Sequence, residues 1–236
     1  SRDWSADVCS SDLLAEAGLM PVPRIAARRL ADARSAHDLL SRLRGEAGVE
    51  RVLLVGGDVP RPAGPFEDAA ALLASGLLDR HGFRQVGLAG YPEGHPAIAA
   101  ETLWTSLSEK LSLAKRRGLS PFVVTQFCFE AQPILDWIAE ARRAGIDAPI
   151  RVGLAAPASV RTLISYGARC GVGSSLRAIK SQGLSLTRLV SSTGPEAILE
   201  KLGQVPLDEG IALHFFAFGG VERAARWLTE LASKGR

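Results

Sequence analysis

Short apolar runs alternate with longer segments of helical period along most of this chain. The apolar runs are rich in Val, Leu and Ile, which is typical of strands covered on both faces of a parallel sheet. The first four strong runs start roughly 30 residues apart, the length that one strand-helix-strand unit needs. The predicted strands are a weak one at Pro21–Ile25 and five strong ones at Arg51–Val55, Gln85–Ala89, Phe122–Gln126, Ile150–Leu154 and Ala212–Phe216.

Helix punctuation marks the segments between these strands. Ser35 is predicted to cap a helix that buries the leucines of 39–43 and ends at Gly45. Residues 159–203 contain no clear strand, so more than one helix is expected there. Further helices are predicted over Phe66–Leu78, Leu103–Ala114, Ile134–Ala144 and Val221–Leu231.

Repeated strand-helix units without a dividing linker predict a single α/β domain. The simplest architecture is a (β/α)8 TIM barrel, and a doubly wound sheet is the alternative. The six predicted strands fall short of the eight that close such a barrel, so the barrel is expected to lack its first one or two βα units. Residues 1–13 include Asp7–Leu13, which resembles a translated sequencing adaptor. We therefore expect an artefact or disordered segment at 1–13 and one partial barrel domain at 14–236.

Composition excludes several classes of function. Aromatic residues make up 6% of the chain, too few to stack on single-stranded nucleic acid, so nucleic acid is excluded as a partner. The formal net charge of +3 is spread over helical segments and indicates solvated helix faces, with a patch for a phosphate-bearing cofactor as the alternative. The three cysteines are widely spaced and predict a cytoplasmic protein without a disulfide framework. The four histidines lack metal-binding spacing, and no apolar stretch is long enough to cross a membrane.

The first polar strand end is Gly56-Gly57-Asp58, directly after the run Val52–Val55. Ligands of parallel α/β proteins bind at the carboxyl ends of strands. Two glycines let a flat ligand or its phosphates approach the backbone, and the carboxylate of Asp58 can accept hydrogen bonds from ring N–H or amino groups. A plain turn is the alternative interpretation of this motif.

Two further strand ends carry polar side chains. Tyr91 and His95 lie in a Gly/Pro-rich turn after the run 86–89, and Gln126 ends the run 122–126. Tyr91 can cover an aromatic ring or simply pack, and His95 can bind a phosphate or hydroxyl or be satisfied locally. The amide of Gln126 can donate and accept at once, which suits a carboxamide or pterin edge, although a core amide bonded to backbone is equally consistent.

Together these motifs resemble the methylenetetrahydrofolate reductase family, whose members are flavin-dependent (β/α)8 barrels. The resemblance runs from about Leu19 to the end of the chain. The Tyr-Pro-Glu-x-His-Pro signature is its most specific part. The matching segments are Val52–Pro60, Gly87–Pro96, Thr125–Phe129 and the last strand His214–Phe218.

The resemblance implies a set of site residues. Asp58 and Gln126 would be the catalytic and substrate-binding residues: Asp58 would face the folate pterin and shape the electrostatics of the flavin, and Gln126 would contact the nicotinamide and the folate in turn. Lys115 is the fallback for the lysine that meets the flavin phosphates. The implied FAD contacts are Gly56, Gly57, Asp58, Tyr91, His95 and Lys110.

The resemblance also implies an activity. FAD would mediate the reduction of 5,10-methylenetetrahydrofolate to 5-methyltetrahydrofolate with NAD(P)H as co-substrate, in one-carbon and methionine metabolism. The only implied partner is the small-molecule folate; a homo-oligomer and the choice between NADH and NADPH stay open.

Several departures from the family pattern, among them the loss of an arginine around Gly219-Gly220, leave a second function open. Gly56 stands where the family commonly has an arginine, and Arg24 stands where a histidine is expected. The family's general acid, a glutamate on the first strand, is not found, which we interpret as truncation; such a fragment is expected to bind FAD yet turn over poorly. The alternative is a non-catalytic barrel of the same fold that binds folate or flavin. An aldolase would need a Schiff-base lysine at a strand end, and the strong strands show none.

Overall fold

The computed structural model describes residues 18–170 and 195–234, together with 11, 14–16 and 172. Within these residues six parallel strands form one sheet, and their order in the sheet follows their order in the chain. The strands are β1 (Arg24–Ala26), β2 (Arg51–Val55), β3 (Gln85–Gly90), β4 (Ser120–Thr125), β5 (Ile150–Ala155) and β6 (Ile211–Phe216). This architecture confirms the predicted α/β class and is consistent with a partial TIM barrel.

Helices connect the strands in the alternating order that the sequence predicts. A single 3-10 turn, Ala27–Arg29, follows β1 directly. The helices are α1 (Ala33–Gly45), α2 (Ala69–Ala74), α3 (Leu77–Arg80), α4 (Ala100–Arg116), α5 (Gln132–Arg143), α6 (Val160–Cys170), α7 (Glu196–Gly203) and α8 (Val221–Lys234).

The five strong strand predictions are confirmed with small shifts at their ends. The largest shifts concern β4, which begins at Ser120 and ends at Thr125, so that Gln126 lies just beyond the strand. The weak prediction at Pro21–Ile25 becomes β1, a shorter strand that starts three residues later. The helical prediction for 159–203 is confirmed where α6 and α7 describe it, and the rest of that segment lies outside the described residues.

The described residues group into two compact units. The first contains the residues up to Ala89 together with Ser106–Val123, and the second contains Gly90–Thr105 and the residues from Val124 onward. In the first unit β1 pairs with β2, and β2 pairs with β3. Its core is built from strand residues that are at most 1% exposed, namely Val52, Leu54, Val86 and Leu88.

Helix α1 packs its leucine stripe into this core as the spacing predicts, but its N-cap is Asp32 and not Ser35. The carboxylate of Asp32 accepts from the backbone N–H of Ser35 at 2.6 Å, and the backbone N–H of Asp32 donates to the Ser35 hydroxyl at 3.2 Å. Ser35 therefore completes a reciprocal capping box from the third helical position. Both residue types suit an N-cap, so the sequence pattern alone did not separate them.

The single helix predicted over Phe66–Leu78 is also wrong, because the segment forms the two short helices α2 and α3. The hydroxyl of Ser75 donates to the carbonyl of Leu72 at 2.6 Å and accepts from the backbone N–H of Leu77 at 3.3 Å. A serine that bonds the backbone in this way competes with helical hydrogen bonds. The helix consequently stops and restarts at this point.

In the second unit β5 pairs with β6, with Gly153 opposite His214. The guanidinium of Arg142, near the end of α5, ties the entrances of both strands. It donates to the carbonyl of Ala148 at 3.0 Å and forms an ion pair with Asp208 at 2.9 Å. One side chain thus anchors the loops that lead into β5 and β6.

Two absences can be stated for the part of the chain that the structure describes. No described helix is long and apolar enough to cross a membrane. Among the described residues, no group of three or more His, Cys, Asp or Glu side chains is placed to hold a metal ion.

The end of α4 generates a stability prediction. Gly118 has a φ of +73° and open space where a Cβ would lie, whereas Gly45, the last residue of α1, has equally open space without a positive φ. We expect Gly118→Ala to lower the free energy of unfolding by about 1 kcal/mol, because L-residues are strained in this conformation. Gly45→Ala is the matched control and should leave stability unchanged or raise it by up to about 1 kcal/mol. Urea unfolding checks both; equal losses in the two variants would contradict the argument.

Candidate functional site

The backbone of Gly56 and Gly57 is shaped for close approach. Gly57 has a φ of +104°, and a Cβ at this position would lie 3.4 Å from the Cβ of Ala26 in β1. A Cβ at Gly56 would meet nothing within 4 Å. The exit of β2 thus packs against β1 on one side and leaves free space beside Gly56, as the sequence interpretation requires of a ligand-facing turn.

Asp58 lies exposed after this turn and is paired with Arg29. The Nε and Nη2 atoms of Arg29 both approach Oδ1 of Asp58, at 3.2 Å and 2.5 Å. The hydrogen bond from Arg29 is the largest cause that lowers the pKa of the Asp58 carboxyl, and Arg24 adds a smaller effect in the same direction. Asp58 is therefore ionised at neutral pH.

Arg28 holds the loop that carries Asp58. Its backbone N–H donates to the carbonyl of Gly56 at 2.9 Å, which extends the pairing of β1 with β2. Its side chain donates to the carbonyls of Glu67 and Val59, at 2.6 Å and 3.4 Å. The two neighbouring arginines of the 3-10 turn thus contact the same loop. Arg28 binds backbone carbonyls of the loop, and Arg29 binds the carboxylate of Asp58.

Arg29 is a site residue that none of the sequence motifs indicates. Gly56 stands where an arginine is expected directly before the Gly-Asp pair, and Arg29 brings a guanidinium to Asp58 from another segment. The available signal was the pair Arg28-Arg29 shortly after the predicted strand Pro21–Ile25, since parallel neighbouring strands end at the same edge of a sheet.

Lys110 lies in α4 and is partly buried. Burial is the largest influence on its ammonium group and lowers the pKa, while Asp68 and Glu109 oppose that shift. Lys115, the alternative phosphate ligand predicted from the sequence, is exposed near the end of the same helix. A partly buried cation attracts an anion more strongly than a fully solvated one, so Lys110 is the better placed of the two lysines to bind phosphate.

Tyr91 and His95 come together in the second unit. A turn joins them, in which the backbone N–H of Gly94 donates to the carbonyl of Tyr91 at 3.0 Å. The two rings meet edge to face, with centroids 5.6 Å apart. Nδ1 of His95 accepts from the backbone N–H of Ala97 at 3.2 Å, and burial lowers the pKa of this imidazole. His95 is therefore neutral at pH 7, with Nε2–H left as a donor.

Gln126 lies next to this turn because its backbone N–H donates to the carbonyl of Gly90 at 2.8 Å. Its side chain is 9% exposed, and neither Nε2 nor Oε1 has a hydrogen-bond partner. A buried amide without partners is costly, so it calls for a reason, and a ligand that both donates and accepts is one. The structure thus brings three predicted residues together: Tyr91, His95 and Gln126.

Beside these residues the second unit holds an aromatic cluster that the sequence analysis did not identify. Phe127 is 1% exposed and meets the ring of Phe218 at a centroid distance of 5.0 Å. Phe218 stacks on Phe216 at 5.4 Å and on Tyr166 of α6 at 4.3 Å. The sequence signal was the Phe-x-Phe spacing of 127–129 and of 216–218, which places alternate aromatic side chains on one face.

Gln126 and its neighbour Thr125 generate a paired prediction. The Thr125 hydroxyl is buried and accepts from the backbone N–H of Gly153 at 2.8 Å, whereas the amide of Gln126 is unpartnered. Thr125→Val should lower the free energy of unfolding by about 1–3 kcal/mol, because it strands a buried N–H. Gln126→Leu should raise that free energy by about 1 kcal/mol, because it removes two unsatisfied atoms. Urea unfolding of the ligand-free protein measures both, and a large loss in Gln126→Leu would show that the amide is satisfied.

His214 generates a pH prediction. Burial lowers the pKa of this imidazole to about 4, and its ring lies 4.7 Å from that of Phe216. The unfolded chain takes up the proton near pH 6.5 but the folded chain does not, so stability should fall as the pH drops from about 6.5 to about 4. His214→Asn should show a smaller fall, by roughly 2–3 kcal/mol. Unfolding free energies at several pH values test this, and parallel curves for the two proteins would contradict it.

Comparison with known proteins gives the chain a family. The family model described as methylenetetrahydrofolate reductase matches residues 5–218. Over 116 residues the chain is 28% identical to methylenetetrahydrofolate reductase 2 of Saccharomyces cerevisiae, covering 46% of the chain and 19% of the relative. It is 30% identical over 115 residues to the probable methylenetetrahydrofolate reductase (NADPH) of Caenorhabditis elegans, covering 45% of the chain and 16% of that relative. It is 31% identical over 119 residues to methylenetetrahydrofolate reductase (NADH) 1 of Arabidopsis thaliana, covering 45% of the chain and 20% of that relative.

These matches span about a fifth of the length of the curated relatives. The family match itself extends over most of the chain and agrees with the parallel α/β sheet described above. The chain belongs to the methylenetetrahydrofolate reductase family.

Proposed function

We propose that this chain binds FAD and catalyses the NAD(P)H-dependent reduction of 5,10-methylenetetrahydrofolate to 5-methyltetrahydrofolate. Family membership supports the reaction class. The structural observation that carries the proposal is the amide of Gln126, which is buried beside the Tyr91–His95 turn with both polar atoms unpartnered. Such an amide matches the paired donor and acceptor atoms on the edges of a nicotinamide carboxamide and of a pterin.

Each unit, taken by itself, holds residues that suit part of a flavin. In the first unit the open backbone of Gly56 and the positive-φ turn at Gly57 admit a flat ring system. In the second unit the ring of Tyr91 offers an apolar face. His95 supplies an N–H donor, and the partly buried ammonium of Lys110 suits a phosphate. When bound, FAD would supply the hydride-transfer chemistry between the nicotinamide donor and the folate.

Asp58 and Gln126 would act on the substrates. Asp58 is an anion paired with Arg29, so in this proposal it accepts hydrogen bonds from N–H groups of the pterin and adds negative charge near the flavin. Gln126 would bind the nicotinamide and then the folate with the same amide, which suits a reaction in which the two substrates alternate. In this proposal neither Asp58 nor Gln126 transfers a proton.

Both NADH and NADPH are candidate electron donors. The nematode relative carries NADPH in its name and the plant relative carries NADH, so both nucleotides belong in the assay. The cytoplasmic location, the place in methionine metabolism and a homo-oligomeric state stay predictions from the sequence.

The experiment is reconstitution of the purified chain with FAD. We expect flavin to stay bound through gel filtration, to bleach anaerobically with NADH or NADPH, and to recover its colour when methylenetetrahydrofolate is added. Gln126→Leu should slow both half-reactions by about 10- to 100-fold, because an interaction with each reacting substrate is lost. Gln132→Leu removes an exposed amide that is bonded to Asp136 and serves as the matched control.

The outcomes separate the proposal from its alternative. A folded protein that takes up no flavin would overturn the proposal. Flavin uptake without any recovery of colour by folate would instead favour the non-catalytic binding barrel. Equal rates for Gln126→Leu and Gln132→Leu would remove Gln126 from the site.

A further inference from the structure

We propose that Arg29 is a positioning residue: it holds Oδ1 of Asp58 in a two-donor ion pair and thereby presents Oδ2 as the acceptor for an N–H group of the ligand. The inference rests on the proposed function, since it assigns a partner to a residue of that site. It adds a residue that lies outside every motif by which the sequence resembles the family.

The geometry of the pair carries the argument. Both donors of Arg29, Nε at 3.2 Å and Nη2 at 2.5 Å, reach the same oxygen, Oδ1 of Asp58. Every side-chain hydrogen bond to Asp58 among the described residues ends on Oδ1. The backbone N–H of Asp58 also acts on its own carboxyl group. A guanidinium that binds both carboxylate oxygens would cap the group completely, whereas this arrangement leaves Oδ2 without a side-chain donor.

The loop backbone is fixed independently of this pair. Arg28 donates to the carbonyls of Glu67 and Val59 and so pins both ends of the loop that follows Asp58. With the backbone held, the remaining freedom of Asp58 is rotation of its side chain. Contact with Arg29 removes that freedom, which is the role of a positioning residue around a binding group.

Structural support is a poor explanation for the pair. The side chains of Arg29 and Asp58 are 37% and 55% exposed, and ion pairs with this exposure contribute little to folding. The charged groups that act on Asp58 are Arg29 first and Arg24 second, and both favour the carboxylate. Asp58 is an anion at neutral pH, and the pair holds that anion in one orientation, which favours ligands that present N–H donors and disfavours those that present carbonyl oxygens.

The test uses three variants in the full chain. Arg29→Gln removes the charge, Arg29→Lys keeps the charge but loses the two-donor fork, and Arg61→Gln removes an exposed charge from the loop of Asp58 as the control. The carboxyl carbon of Asp58 is titrated by NMR in the flavin-free protein, with Asp58→Asn used for assignment. We expect the acid dissociation constant to fall about tenfold in Arg29→Gln and to change little in Arg61→Gln.

A double-mutant cycle then asks whether Arg29 acts through Asp58. We expect Arg29→Gln to weaken binding of the folate substrate to the FAD-loaded protein about five- to tenfold, Arg29→Lys to weaken it less, and neither change to matter in the Asp58→Asn background. An unaltered Asp58 titration, or an equal effect of Arg29→Gln in both backgrounds, would overturn the positioning role while the proposed function stands. Failure of the unmutated protein to bind FAD would overturn the proposed function and this role with it.

Discussion

Parallel strand pairing is the constraint on which the rest of this structure depends. The pairing of β1 with β2 is extended past the strand ends by the hydrogen bond from Arg28 to the carbonyl of Gly56. In the second unit the backbone hydrogen bond from Gln126 to Gly90, the last residue of β3, does the same beyond the end of β4. Because parallel strands expose their carboxyl ends together, each of these bonds sets polar side chains beside a neighbouring loop.

The same strand ends show how binding and stability compete. Thr125 and Gln126 are adjacent and both buried, yet only the threonine has a partner for its side chain. The Thr125 hydroxyl stabilises the fold, whereas the Gln126 amide keeps a donor and an acceptor that a ligand can bind. That amide is buried at 9% exposure, and polar contacts to a ligand are stronger in such a site than in water.

The fold was largely predictable because its signals are local. Runs of β-branched and leucine residues predicted both ends of five strands to within two residues. The helical spacing of apolar residues predicted most of the described helices. The errors arose where two local signals competed. Asp32 and Ser35 are both good caps, and Ser75 bonds the backbone inside a segment whose composition favours helix.

The sequence by itself determined which side chains stand at strand ends, since a strand followed by a polar turn is written in consecutive residues. It thereby indicated Asp58, Tyr91, His95 and Gln126 as site residues. Only the tertiary structure decided what these groups meet. The partner of Asp58 lies 29 positions earlier in the chain, and the missing partner of Gln126 is a property of the space around it. The position of Arg29 after a strand indicated its edge of the sheet, but its contact with Asp58 depended on which strands lie side by side. The space around Gln126 has no local sequence signal.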